Sequence, residues 1–494
     1  MKKILTIILD GFGYREEEND NAIKAANMQN FNNLWHSYPH SLLKTGDENY
    51  QSFDSKCEIN HMTIGAGRVL KKNSDIVNDF FENIDIDNKN VARLLKAQEK
   101  DIHIMGLCSD KAVDANINDF VNIYNLLVGN GFKKIHFHLI TDGDHDVLKY
   151  INKIKELINE YKVGDIVSIC GKCYAMDSSE NWERTKIYYN LVVNGNGINA
   201  LNIERAIQYN YENSINDDSI KPIITSNNLI KNGDVLIWMN YLDINSKQIL
   251  NAFVNSDTFT KFNVNDMNDL EVYTLFFDDK KIKTYNLIDL LQVKNPLGLY
   301  LSTLGFTQAR IAEEEKFKYI TKYFDGGYDG KIDNCDKYNI PSQDVLSYDL
   351  MPEMSAVGVT KKVVEAMNND YDFILANYAN ADLVGNTGNI EAATDACIAL
   401  DLCLSRIVEK AEENFYKVII LSDHGNAEEM LNENEHHNSS INNNPVPFII
   451  CDNKIKLKEE GSLANVAPTI LDYMDIAIPS EMGQTESLIE RIIN

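Results

Sequence analysis

The chain has 494 residues, 44% apolar and 24% charged, enough for roughly two to four domains with substantial cores. Its formal net charge of −27 argues against nucleic acid and anionic membrane as partners, because phosphate contacts need clustered Lys and Arg, and it obliges any anionic substrate to find a local basic pocket. The opening residues imitate a secretory leader, but Asp10 ends the apolar run 4–9, and no stretch reaches the roughly 18 apolar residues of a spanning helix. With 8 scattered cysteines (57, 108, 170, 173, 335, 397, 403 and 451), expected to be reduced, the composition reads as a cytoplasmic protein.

Apolar β-branched runs predict strands at 4–9, 101–107, 134–140, 165–170, 235–240, 373–378, 417–421 and 446–450. Amphipathic segments between them predict helices at 117–129, 147–161, 313–323, 389–412 and 464–474. The alternation reads as a parallel α/β protein, and no repeat or low-complexity tract interrupts it. Cys170 and Cys173 form a CxxC without a second pair, a weak zinc signal.

Asp10 in ILTIILDGFG and Asp423–His424 in VIILSDHGNAEE each stand where a strand-like run meets a glycine turn. In open parallel sheets ligands gather outside the carboxyl ends of the strands, so two such ends delivering carboxylates and an imidazole predict a metal site.

The motifs resemble the cofactor-independent (2,3-bisphosphoglycerate-independent) phosphoglycerate mutases of the alkaline phosphatase superfamily over nearly the whole chain. Matching stretches include LDGFGY (9–14), HMTIGAGRV (61–69), GLCSD (106–110), CYAMD (173–177), RIAEEEKF (310–317), YDLMPEMSA (348–356), NYANADLVGNTGNIEAA (377–393), SDHGNAEEM (422–430) and NPVPF (444–448). The resemblance implies a doubly wound phosphatase-like metal domain, 1–75 with 298–494, and an inserted α/β substrate domain, 76–297. It also implies two metal ions, usually manganese, and a serine that receives the phosphoryl group, an arrangement that stabilises both attacking and leaving oxygens.

By that resemblance Asp10, Asp423 and His424 keep one metal half-site, while the nucleophilic serine of NSEVGH is Cys57. Asp/Cys/Asp/His is a credible set for zinc as well as manganese, and the thiol is a potential nucleophile, or else a near-isostere under no chemical demand. Of the second half-site Asp382 remains, but one histidine is Asn386 and the other aligns with Ile441; His436 or His437 would have to replace it from a shifted register. In the substrate grip, the family's histidine is Asp114, its DGRD loop reads Asp142-Gly143-Asp144-His145, and its arginines correspond to Lys172, Ser178, Leu242 and Asn245. Lys316 keeps its identity, and Arg184 matches in a structural role. Lys316, Lys172 and His145 are the remaining substrate-binding candidates. Leu, Asn or Ser cannot replace bidentate Arg–phosphate contacts.

Three readings stay open. The first is a divergent relative not competent for phosphoglycerate isomerisation, holding one divalent metal and serving a binding or non-glycolytic role. The second is a single-metal phosphotransferase, hydrolase or mutase of altered substrate using Cys57. The third is a working phosphoglycerate mutase. A small molecule or a protein is the expected partner.

Overall fold

A computed structural model describes residues 2–45, 53–112, 114–143, 147–241, 245–277, 279, 281–289, 293–431, 441–483 and 485–490, with the side chains of the helix Phe53–Ala66 described from Cys57. The chain divides into two compact units, Met1–Leu70 with Leu291–Asn494, and Lys71–Leu290.

The first unit is built on an eight-stranded sheet. Its order is Cys335–Ile340, Gln308–Glu313, Phe373–Tyr378, Lys3–Leu9, Tyr416–Leu421, Val446–Ile450, His40–Lys44 and Glu460–Ser462. The first five strands are parallel; Val446–Ile450 runs antiparallel to both of its neighbours. Both faces are covered. Leu5, Ile7 and Leu9 join one core with residues of the helices Ala356–Asn368 and Ile390–Glu413, while Ile4 and Ile8 join another with Ile64, Leu297 and Ile470. A strand buried on both faces reads as a continuous apolar run, which is why ILTIIL shows no alternation.

The second unit repeats the plan: Tyr285–Asn286, Glu271–Thr274, Val235–Trp238, Ile102–Cys108, Ile135–Thr141, Asp165–Gly171, Ile223–Ile224 and Ile198–Asn199, with only Ile223–Ile224 antiparallel to a neighbour, Asp165–Gly171. Helices Ile117–Gly129 and Leu148–Tyr161 pack on one face, and Trp182–Asn194 and Lys247–Val254 on the other.

All eight predicted strands form, and four of the five predicted helices. The exception is 313–323. There the strand Gln308–Glu313 runs into a 3-10 turn, Glu314–Lys316, and a π-helical turn, Tyr319–Tyr323. Buried Arg310 gives that strand a polar look, and the acidic run after it imitates the first turn of a helix. Strands His40–Lys44 and Cys335–Ile340 are the other notable additions; their short, mixed sequences carry little periodicity.

Candidate metal centre

Four neighbouring parallel strands, Gln308–Glu313, Phe373–Tyr378, Lys3–Leu9 and Tyr416–Leu421, each end in a turn that delivers a side chain to one buried cluster. Asp10 follows Lys3–Leu9, Asp423 and His424 follow Tyr416–Leu421, Asp382 lies in the helix Asn380–Gly385 after Phe373–Tyr378, and Lys316 ends the turn after Gln308–Glu313. Gly11 makes the convergence possible. It adopts φ +74°, and a Cβ there would lie 2.5 Å from the Asp382 Cα.

Cys57 enters from the helix Phe53–Ala66. Asp10, Cys57, Asp423 and His424 are all buried, with donor atoms within 4.8 Å of one another. The Cys57 Sγ is 3.2 Å from Asp423 Oδ2 and 3.9 Å from Asp10 Oδ1. His424 Nε2 lies 3.3 Å from carboxylate oxygens of both Asp10 and Asp423 yet makes no hydrogen bond of normal geometry, and Asp423 Oδ1 has no hydrogen-bond partner, among the described residues. On the other side of the ring, Nδ1 faces the Gly425 carbonyl at 3.3 Å, the kind of contact that orients a metal-ligating imidazole. Buried donors left unsatisfied are costly, so the two orphaned atoms fit a cation bound by this set.

Electrostatics agree. Burial alone would push the Asp10 carboxyl up, but Lys316, with His424 and His61, holds it far below the usual range. Burial lowers His424, and Asp423, Asp10 and Asp382 outweigh that, raising it to about 9. Burial and Asp10 drive the Cys57 thiol well up against the pull of Lys316, with Asp423 and Asp382 adding to the rise. Without a cation, Cys57 is therefore a thiol, not a nucleophilic thiolate.

Asp382 stands apart from the four-donor set. Its Oδ2 is 2.5 Å from the Lys316 Nζ, and its Oδ1 accepts from Asn386 Nδ2 and Asn426 Nδ2, each at 3.2 Å. Lys316 also donates to Asp10 Oδ1 at 2.8 Å.

The Metalloenzyme superfamily profile matches residues 2–478. The 2,3-bisphosphoglycerate-independent phosphoglycerate mutase of Bacteroides thetaiotaomicron is 36% identical, with 98% of each chain covered. The chain belongs to the 2,3-bisphosphoglycerate-independent phosphoglycerate mutase family. The Clostridioides difficile mutase of the same name is 34% identical over 97% of this chain and 98% of its own. Crystal structures of Leishmania mexicana phosphoglycerate mutase at low cobalt concentration share the fold, with TM-score 0.69, 21% identity and coverage of 99% and 98%.

His61 is a further residue of the centre in this mutase-family chain, outside the set expected from the sequence. It lies four residues after Cys57 on the same helical face, and its Nδ1 is 3.2 Å from Asp423 Oδ2 and 3.0 Å from the Cys57 carbonyl. The spacing of KCEINH, read as i and i+4 on one helix, carries that signal. Asn377 is a second residue absent from the sequence-based set; its Nδ2 donates to Asp10 Oδ2 at 2.8 Å from the strand Phe373–Tyr378, where it follows the apolar run FILA.

Of the remaining substrate-binding candidates, Lys316 sits among the carboxylates of the centre. Lys172, in the second unit, forms an ion pair with Asp142 at 2.7 Å. His145 lies outside the described residues, as do Asp144, Leu242, His436 and His437. Asp114 Oδ1 accepts from Asn245 Nδ2 at 3.2 Å. Arg184 lies 3.4 Å from Asp177, a carboxylate that also accepts from the Ser179 and Asn181 backbone and from Gln248, a local structural knot. Among the described residues no helix is long and apolar enough to cross a membrane.

Proposed function

We propose that this chain is a one-metal member of the family that does not isomerise phosphoglycerate and serves a binding or non-glycolytic role. Asp10, Cys57, Asp423 and His424 would hold a single divalent ion, zinc or manganese, which when bound supplies Lewis-acid polarisation of an oxygen ligand.

The observation that carries the reading is the environment of Asp382. A second ion needs lone pairs turned toward it, whereas Asn386 turns its amide N–H to Asp382 Oδ1 and gives its own oxygen to Asn426 Nδ2 at 2.7 Å. In the second unit, Lys172 is neutralised by Asp142, and Asp114 adds a carboxylate. Replacing one arginine that clamps a phosphate costs roughly 2–5 kcal/mol, so several such replacements abolish affinity for a doubly charged phosphate.

The test combines metal analysis of the purified protein with phosphorus NMR of 3-phosphoglycerate conversion. One equivalent of metal and no 2-phospho isomer is the expected result. Two equivalents with turnover at an ordinary enzymatic rate would establish a working mutase instead.

A second reading keeps chemistry on a different phosphate ester. It is favoured by Cys57 lying among the donors at 3.2 Å from Asp423. Zinc-loaded protein that cleaves an aryl phosphate, with Cys57→Ala inactive, would favour it over a pure binding role.

A further inference from the structure

Three histidines of the second unit stand apart from the metal centre. His103 and His136 are register partners on the strands Ile102–Cys108 and Ile135–Thr141, and His138 lies two residues beyond His136, so all three project from one face of the sheet. His103 Nε2 is 3.2 Å from Asp234 Oδ2, His103 Nδ1 is 3.0 Å from His138 Nε2, and His138 Nδ1 is 2.8 Å from Ser168 Oγ. Asp234 precedes the strand Val235–Trp238 and Ser168 lies in Asp165–Gly171, so this chain of contacts crosses four adjacent strands. We propose that it is an acid-sensitive staple: intact at neutral pH, it ties the strands together, and one added proton releases it and loosens the second unit.

The direction of the chain follows from what each group can donate. A carboxylate only accepts, and Asp234 already takes the Lys231 backbone N–H at 2.8 Å. His103 therefore carries its proton on Nε2 and accepts on Nδ1. His138 in turn donates from Nε2 and accepts on Nδ1, where the Ser168 hydroxyl donates. Both rings are thus neutral, and both are fully buried. A further proton on His103 Nδ1 sets N–H against N–H. A further proton on His138 Nδ1 places a buried cation beside His136, whose nitrogens face Asp165 at 2.6 Å and Asp101 at 2.9 Å and so are both protonated. The His136 ring centre is 5.1 Å from that of His103, and Lys134 adds a cation 3.8 Å from Asp101. The helices packed on this face, Trp182–Asn194 and Lys247–Val254, bring apolar side chains together with Tyr188 and Tyr189, which burial keeps neutral, as it does Cys170. Burial lowers His103 against the pull of Asp234, and burial with His103 and His136 pushes His138 well down. The unfolded chain protonates both rings near about pH 6.5, so unfolding takes up protons and acid favours it.

The experiment uses the full chain with chelator present and isotope-labelled histidine rings, followed by long-range proton–nitrogen NMR from about pH 8 to about pH 5.5. His103 and His138 should each keep a single proton, on Nε2, throughout, while His136 keeps two above about pH 7. A His103 or His138 ring that titrates near about pH 6.5, or that carries its proton on Nδ1 at neutral pH, would overturn the staple.

Hydrogen exchange, corrected for the intrinsic rate, supplies the second readout. From about pH 6 to about pH 5 the strands Ile102–Cys108 and Ile135–Thr141 should lose about tenfold more protection in the wild type than in His138→Phe, which takes up one proton fewer on unfolding. The comparison cancels what every other titrating group contributes. Equal losses would detach the histidines from the stability of the unit and reject the proposal. Should His138→Phe not fold, the wild-type titration decides alone.

Discussion

Cys57 decides what the centre can hold. The other three donors of the set suit hard and borderline cations alike, whereas a thiolate favours zinc over manganese. Cys57→Ala should therefore weaken zinc binding by about 100-fold or more, beyond the 10–100-fold typical of removing a group that only orients a ligand, as read by competition with a chromophoric chelator. Cys57→Ser should retain binding and move the preference toward manganese. Unchanged zinc affinity in Cys57→Ala would remove the thiol from the shell. Cys57 was legible in the sequence as a departure at a serine position. The identity of a residue shows what it can donate, but its neighbours at 3–4 Å come from strands hundreds of residues away.

Two loops owe their shape to contacts no local pattern reveals. Glu428, fully buried, accepts from the backbone N–H of Gly13 and of Asn426, each at 2.9 Å, and from the side chains of Asn442 and Asn444. It ties the loop after Asp10 to the loop after His424. The glycines leave room for it, since a Cβ at Gly13 would lie 2.3 Å from the Glu428 carboxyl. In Glu428→Gln one acceptor becomes a donor facing other donors, so metal affinity should fall about 10–100-fold with the secondary structure retained. Equal affinity in wild type and variant would make this carboxylate irrelevant to the centre. On the opposite face Gly65 lets the helix Phe53–Ala66 lie against the π turn, where a Cβ would meet the Phe324 carbonyl at 1.8 Å. Gly65→Ala should cost roughly 1–3 kcal/mol in denaturant unfolding, by overpacking.

In the second unit, Asp119 is buried at the start of the helix Ile117–Gly129 and accepts from the Tyr241 hydroxyl. Burial, only partly offset by that hydrogen bond, raises its carboxyl to about 6. The folded state thus keeps a proton that the unfolded chain loses near the ordinary carboxylate pKa. Stability from this group is greatest at low pH and falls as pH rises from about 4 to about 6, by roughly 3 kcal/mol in all. Asp119→Asn should flatten that part of the pH–stability curve; an unchanged slope would place the proton elsewhere.

At the scale of the molecule, every residue of the centre lies in the unit Met1–Leu70 with Leu291–Asn494. Metal at a hundred times its dissociation constant stabilises what it binds by about 2.7 kcal/mol. For a unit of this size that is about 5 °C of melting temperature. Hydrogen exchange with and without chelator should show added protection in strand Lys3–Leu9 and none in Ile102–Cys108. Equal protection in both would mean that the units unfold as one.

The sequence by itself determined the strands of both sheets wherever burial on two faces leaves an unbroken apolar run, and it named the carboxylates and imidazole that end those strands, because such features are written in neighbouring residues. Only the tertiary structure decided that Lys316 neutralises Asp382, that His61 and Asn377 complete the shell around Asp10 and Asp423, and that Glu428 pins two loops together. Those pairings depend on which strands lie side by side in the sheet, and strand order joins residues that local periodicity cannot connect.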